Sequence, residues 1–251
     1  MRLPDPFYPS GEHVGIDLPG ARALFTTRRG GFSTGPYASL NLGPPGHHGG
    51  FPSDDPDAVQ RNRAALEEAL GVRFAYARQV HGVNVARVAR VPDRRSGPDE
   101  ADGVATVLPG LAPMVLSADC LPIALAGRGA VAMLHAGWRG LAAGVVREGV
   151  RALRELGPAE PLVAAIGPGA GPCCYEVGEE VRAAFSGCST PGAGERRFDL
   201  KAAARQMLAL AGVTRVYDVG LCTICSDPSL FFSHRRDRGN TGRQAGIAWR
   251  S

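Results

Sequence analysis

Long apolar runs are missing from this 251-residue chain, although 44% of its residues are hydrophobic. A helix crossing a bilayer needs about 20 consecutive apolar residues, so no membrane span is expected, while the apolar content suffices to bury a full core. The opening stretch Met1 to Ser10 lacks the apolar centre and small-residue cleavage site of a secretory signal, and a cytoplasmic location is the expectation. Lysine is almost absent, Lys201 being the only one, so the net charge of +4 is carried by arginine. That charge is scattered instead of forming a stripe, which argues against a nucleic-acid partner. Cysteine is sparse too, with six residues. The adjacent pair Cys173-Cys174 and a Cys120 set in a strand do not look like a secreted disulfide framework, and reduced thiols are expected.

What the chain does contain is periodic sequence broken by glycine and proline. Ala21 to Thr27 reads as a strand running into the glycine-rich loop Arg28 to Pro36. Asp54-Asp55-Pro56 gives an acidic cap and a first-turn proline for a helix over 56–70, with Val59, Leu66 and Leu70 on one face and Gly71 as its stop. Short apolar runs near 74–80, 83–91, 103–107, 113–118, 121–126 and 130–135 predict a strand-rich centre. A helix over 141–156 follows, then a strand at 162–166, helices at 178–185 and 199–211, and strands at 213–219 and 246–250. Residues 1–20 read as an N-terminal extension and 21–251 as one domain.

His81, Cys120 and His135 each stand at the end of an apolar run, in Gln79-Val80-His81-Gly82, Ala118-Asp119-Cys120-Leu121-Pro122 and His135-Ala136-Gly137-Trp138-Arg139-Gly140. Two imidazoles and a thiolate suit one transition metal, and three protein ligands leave a tetrahedral zinc an open position for a water, a phosphate or a substrate oxygen. The plain alternative is two ordinary histidines and a buried cysteine that share strand ends. Gly127-Arg128-Gly129 suits a tight hairpin, and its flanking strands would set Cys120 and His135 opposite each other within one residue of register. The hairpin says nothing about His81. Just beyond, Gly137 to Gly140 reads as a small-residue turn before a helix, where backbone amides and Arg139 could receive an anion, or where Trp138 only anchors packing. Asp119 is read as an outer-shell orienter of the metal ligands. Cys222-Thr-Ile-Cys225 has no second ligand pair of standard spacing, so it reads as loop packing or a redox-labile pair. Arg235-Arg236-Asp237-Arg238 reads as a solvated surface loop or an anion clamp.

Thr26-Thr27-Arg28-x-Gly30-Gly31-x-Ser33, Ser39-Leu40-Asn41-Leu42-Gly43, the three ligand segments, Ile166-Gly167-Pro168 with Tyr175-Glu176-Val177-Gly178, and Phe232-Ser233-His234-Arg235-Arg236-Asp237 occur in one order. In that ordered set the chain resembles the laccase-domain family, also called polyphenol oxidase or multifunctional purine nucleoside phosphorylase proteins, from about residue 21 to 250. The resemblance implies an α+β (mixed α/β) fold, a layered sandwich of mixed β-sheets flanked by helices in a single domain. It also implies zinc on His81, Cys120 and His135, with copper as the alternative metal. The implied activities are phosphorolysis of adenosine, inosine, guanosine and methylthioadenosine, adenosine deamination, and copper-dependent phenol oxidation. Two departures stand out: the segment Pro44 to Phe51 is longer and richer in proline and glycine than the family's link, and Gly169 stands where many relatives carry cysteine.

Joined to that resemblance, the chemistry assigns purine nucleosides and phosphate as partners of a zinc-dependent enzyme, a monomer or small homo-oligomer. Arg28, Asn41 and Arg139, each in a glycine-flanked loop, are candidate substrate or phosphate contacts. His81, Cys120 and His135 carry both the metal and the catalysis. For deamination, a water activated at the open position would attack the purine ring. Three other readings use the same residues: a hydrolase of cell-wall precursor amides with Cys120 as nucleophile and His135 as base, a copper polyphenol oxidase, and a non-catalytic metal- or nucleotide-binding module. The copper reading is weakened because a multicopper centre needs many histidines and this chain has six, with no His-x-His repeat.

Overall fold

Twelve strands in two sheets and five α-helices make up the computed structural model, which describes residues 2–43, 53–90, 100–157, 160–188 and 196–251. The segment 44–51 singled out above lies outside the described residues. The first sheet has the order β1 (Tyr8–Ser10), β2 (His13–Leu18), β3 (Ala21–Phe25), β12 (Gln244–Arg250), β7 (Leu111–Ser117), β4 (Arg73–Ala75). The second has the order β11 (Arg215–Asp218), β10 (Val163–Ile166), β8 (Leu121–Gly127), β9 (Ala130–Ala136), β6 (Gly103–Thr106), β5 (Val85–Val88). Both sheets are mixed: β4 and β7 are parallel, as are β10 with β11 and β5 with β6, and the other pairs are antiparallel.

The strand period of two sorts side chains into layers. Between the sheets lie Val14, Ile16, Phe25, Val115, Val131, Met133 and Ala165. Alternate residues of the same strands, Leu121, Ile123, Leu125 and Leu134, face outward and are covered by α3 (Val145–Leu156) and α5 (Leu200–Leu210). On the far side of the first sheet, α1 (Pro56–Leu70) lays Leu66 and Leu70 on Leu24, Met114 and Ile247. The result is the expected sandwich of mixed sheets flanked by helices.

Residues 8–18, read as part of an extension, form β1 and β2 of the first sheet, because Val14, Ile16 and Leu18 alternate inward while Asp17 faces out. The helix read over 141–156 is in fact two. α2 (Trp138–Ala143) ends at Gly144, whose φ of 106° is left-handed backbone, and α3 begins at the next residue. The apolar run 74–80 keeps strand only to Ala75, and Gln79–Gly82 is a loop. α1 begins and ends as read, with the Asp55 carboxylate accepting the Asp57 amide and Gly71 as a left-handed stop. Helix α4 (Glu179–Ala184) and α5, capped by Asp199, lie within the expected ranges.

Candidate metal centre

The hairpin of β8 and β9 pairs Gly127 with Ala130 and Pro122 with His135, so Cys120, just before β8, lies at the strand end where His135 closes β9. β6 begins at that same end, its Gly103 opposite Leu134, and the His135 amide donates to the carbonyl of Asp102 at 2.7 Å. The loop after β4 brings in the third member. Cys120 Sγ lies 3.9 Å from His81 Nε2, the two imidazole rings stand edge to face at 4.8 Å between centroids, and one donor atom from each of the three residues falls within 4.8 Å of the others. The proposed ligands are therefore brought together.

Asp102 organises both histidines, and reading by residue type missed it. Its carboxylate accepts the amides of Val80 at 3.2 Å, His81 at 2.9 Å and Gly82 at 2.6 Å, and also meets His135 Nδ1 at 2.8 Å. The group is fully buried. Burial alone would raise its pKa, but the His135 ring, the Gly82 and Val80 amides and the charge of His135 outweigh that and hold it below the ordinary carboxylate range. With Nδ1 committed to Asp102, His135 offers Nε2 to the cleft, the usual second-shell arrangement of a metal-bound imidazole. His81 sits at φ 59°, a left-handed conformation uncommon for a residue with a side chain, and the three amides on Asp102 hold it there.

Two glycines let α2 close onto this loop. A Cβ at Gly137 would stand 2.9 Å from His81 Cδ2 and 3.1 Å from Cys120 Sγ, and one at Gly140 would stand 2.6 Å from the Gly82 carbonyl oxygen. The stretch read either as an anion-receiving turn or as a packing turn is the first turn of α2, and its glycines stand in close contact with the His81 loop. Arg139 is exposed, its guanidinium 4.2 Å over the Trp138 ring.

The other two proposed contacts are spent on structure. Arg28 donates to the carbonyls of Ala38, Pro36 and Pro228 and stacks 4.4 Å over Phe232, pinning two loops together. Buried Asn41 donates to Asp54 at 2.8 Å and accepts the amides of Gly43 and Arg243. Asp119, read as an orienter, directs its carboxylate to Thr223 and Arg235. Its φ of 91° turns the chain, and its carboxylate accepts Thr223 Oγ1 at 2.6 Å and the Arg235 amide at 2.7 Å. Within the basic run, Arg236 is engaged, donating to Thr223 O, Phe231 O and Asp237, while Arg235 is exposed and donates to Glu176 O.

Electrostatics ties further residues to the centre. Half-buried Arg243 has its pKa lowered by desolvation and raised in part by Cys120 and Asp119. Tyr175 is pushed up to about 12 by burial and by Cys120. Within the ligand set, burial would raise the Cys120 thiol, but the charge and hydrogen bonds of His135 and His81 draw it down to about 6. Burial would lower His135, but Cys120 and Asp102 carry it up to about 9. Without a metal the pair is a thiolate beside an imidazolium. One soft sulfur and two ring nitrogens, gathered in this way, fit a zinc-type ion bound by three protein ligands.

A family model described as multi-copper polyphenol oxidoreductase laccase matches residues 22–251. A protein of Xylella fastidiosa strain Temecula1 named purine nucleoside phosphorylase is 45% identical over 248 residues, covering 92% of this chain and 93% of that one. The Escherichia coli K12 protein named purine nucleoside phosphorylase YfiH is 38% identical over 241 residues, covering 92% and 94%. The crystal structure of YlmD from Geobacillus stearothermophilus superimposes with a TM-score of 0.85 at 36% identity, covering 98% of this chain and 99% of that one. On sequence and fold alike, this chain belongs to the multi-copper polyphenol oxidoreductase laccase family.

Proposed function

We propose that this chain is a zinc-dependent purine nucleoside phosphorylase acting on adenosine, inosine, guanosine or methylthioadenosine. The observation that carries the reading is a donor set fixed from behind and open in front: Asp102 holds the His81 loop and the His135 ring, while His81 is exposed. The names of the relatives from Xylella fastidiosa and Escherichia coli support the same reaction.

In phosphorolysis a phosphate oxygen bonds to C1′ of the ribose as the bond from C1′ to the purine nitrogen breaks. The bonding pair leaves with the purine, which takes up a proton, and the sugar departs as its 1-phosphate. His81, Cys120 and His135 would hold the zinc, which would supply Lewis acidity toward an anionic oxygen. Cys120 contributes a sulfur already disposed to lose its proton, and His135 contributes Nε2 because Asp102 occupies Nδ1. Arg139 and Arg243 supply the positive charge that seats phosphate. Arg28 and Asn41 act through position, Asn41 by gripping the Arg243 amide. Adenosine deamination at the same centre would need a water activated there to attack the purine ring, and the relatives' names speak for phosphorolysis, which ranks first.

A second reading rests on the same pair. A thiolate beside an imidazolium is the resting state of a cysteine nucleophile, which suits hydrolysis of an amide. Replacing His81 by Ala separates the two. Phosphorolysis predicts loss of zinc and at least a 100-fold fall in phosphate-dependent adenine release. Undiminished turnover in metal-free protein, with a covalent adduct on Cys120 by mass spectrometry, would favour the nucleophile.

A further inference from the structure

Cys173 and Cys174 are neighbours in sequence, and Cys222 and Cys225 lie some fifty residues downstream. Their spacing is not that of a zinc motif, but the fold unites them. The loop after β10 and the loop after β11 run side by side, with Gly169 bridged to Cys222 and the Thr223 amide donating to Gly169 O at 3.1 Å. All four Sγ atoms then fall within 4.8 Å of one another, with Cys173 and Cys225 at 3.4 Å. In a tetrahedral zinc thiolate the sulfurs are separated by about 3.8 Å, the edge set by a Zn–S bond of about 2.3 Å.

The surroundings are those of a metal-binding turn. The amides of Gly171, Ile224 and Cys225 point at the Cys222 sulfur, the Gly171 contact measuring 3.3 Å, and such bonds stabilise a thiolate. A Cβ at Gly171 would stand 3.3 Å from Cys173 Sγ and 3.4 Å from Cys222 Sγ, so this position leaves room for the sulfurs by having no side chain. Arg236 donates to the Thr223 carbonyl at 3.0 Å, setting a cation against the same turn. The cluster is separate from the first centre, yet Thr223, inside the Cys-x-x-Cys turn, holds Asp119 beside Cys120.

We propose that Cys173, Cys174, Cys222 and Cys225 bind a second, structural zinc ion. Four thiolates close its coordination, so it offers no position to substrate. Each thiol loses its proton on binding, leaving a site of charge about −2 that the amides aimed at the Cys222 sulfur offset in part. The ion clips the loop carrying Tyr175 to the loop carrying Arg235 and fixes the turn that precedes Cys120.

The test counts metal on the full chain, purified in reductant, supplied with zinc and desalted. Wild-type protein should carry about two zinc ions per chain. The His81→Ala/His135→Ala variant should keep about one, and its cobalt form should show the strong thiolate-to-cobalt bands of a four-sulfur site. Cys222→Ser/Cys225→Ser should likewise fall to about one. If that variant does not fold, the wild-type and His-variant counts still decide the matter. A single zinc in the wild type, lost entirely in the His variant, would overturn the proposal. A second zinc that survives in Cys222→Ser/Cys225→Ser would also overturn it, as would a Cys173–Cys225 disulfide in place of metal.

Discussion

A buried carboxylate that accepts three amides and faces an imidazole N–H has no spare lone pair to trade. In Asp102→Asn the new amide must turn its NH2 toward either the Val80–Gly82 amides or His135, so donor meets donor on one side. The expected outcome is a zinc affinity lower by about 10–100-fold, measured by competition with a chromogenic chelator, in protein that still folds. Equal affinity would remove Asp102 from the account. Cys120 makes a second claim at this scale. Its folded pKa lies below the thiol value of 9.0, at about 6, so it is thiolate at neutral pH and becomes a thiol only as pH falls through about 6. In metal-free protein, iodoacetamide labelling of Cys120, read by peptide mass spectrometry, should rise through that pH and be flat from about 7 upward; a rise centred near 9 would contradict the His135 pairing. Cys120 and His135 were legible as neighbours from the hairpin register, whereas His81, which lies in a loop beyond the end of β4, joined them only through the family resemblance. Asp102 was not legible, since its importance comes from the pairing of β6 with β9, which no local pattern around Ala101-Asp102-Gly103 announces.

Among the elements, the hairpin of β8 and β9 was the most readable, because glycine punctuation and strand alternation point to one register. The break between α2 and α3 was not. The apolar pattern runs through Leu141, Val145 and Val146 as if the helix were continuous, and only the left-handed Gly144 interrupts it. That residue also ends the helix whose first turn packs on the His81 loop. Gly144→Ala forces a side chain into left-handed backbone, with Arg147 Nη2 3.1 Å from the new Cβ. It should destabilise the protein by about 1–2 kcal/mol in urea denaturation. Unchanged stability would mean that α2 and α3 can merge. Residues 8–18 were read as part of an extension because the family resemblance begins only near residue 21. Their alternating Val14, Ile16 and Leu18 take meaning only beside β3.

For the whole molecule, the sandwich leaves the beginnings of β6 and β8 and the ends of β9 and β10 at one edge. Loops from four parts of the sequence meet there. No single stretch could therefore reveal the site, and the Cys173–Cys225 cluster escaped notice for the same reason, its halves lying on separate loops. Among the described residues no helix is long and apolar enough to cross a membrane. The central claim is that the His81, Cys120 and His135 centre uses zinc to split purine nucleosides with phosphate. It is tested most directly by stripping the full-length protein with a chelator, restoring it with zinc or with copper, and following adenosine by chromatography with and without inorganic phosphate. The account predicts that zinc restores adenine and ribose 1-phosphate in equal amounts, and only when phosphate is present. Adenine release by metal-free protein, release without phosphate, or activity restored by copper alone with oxygen consumed on phenols would contradict it.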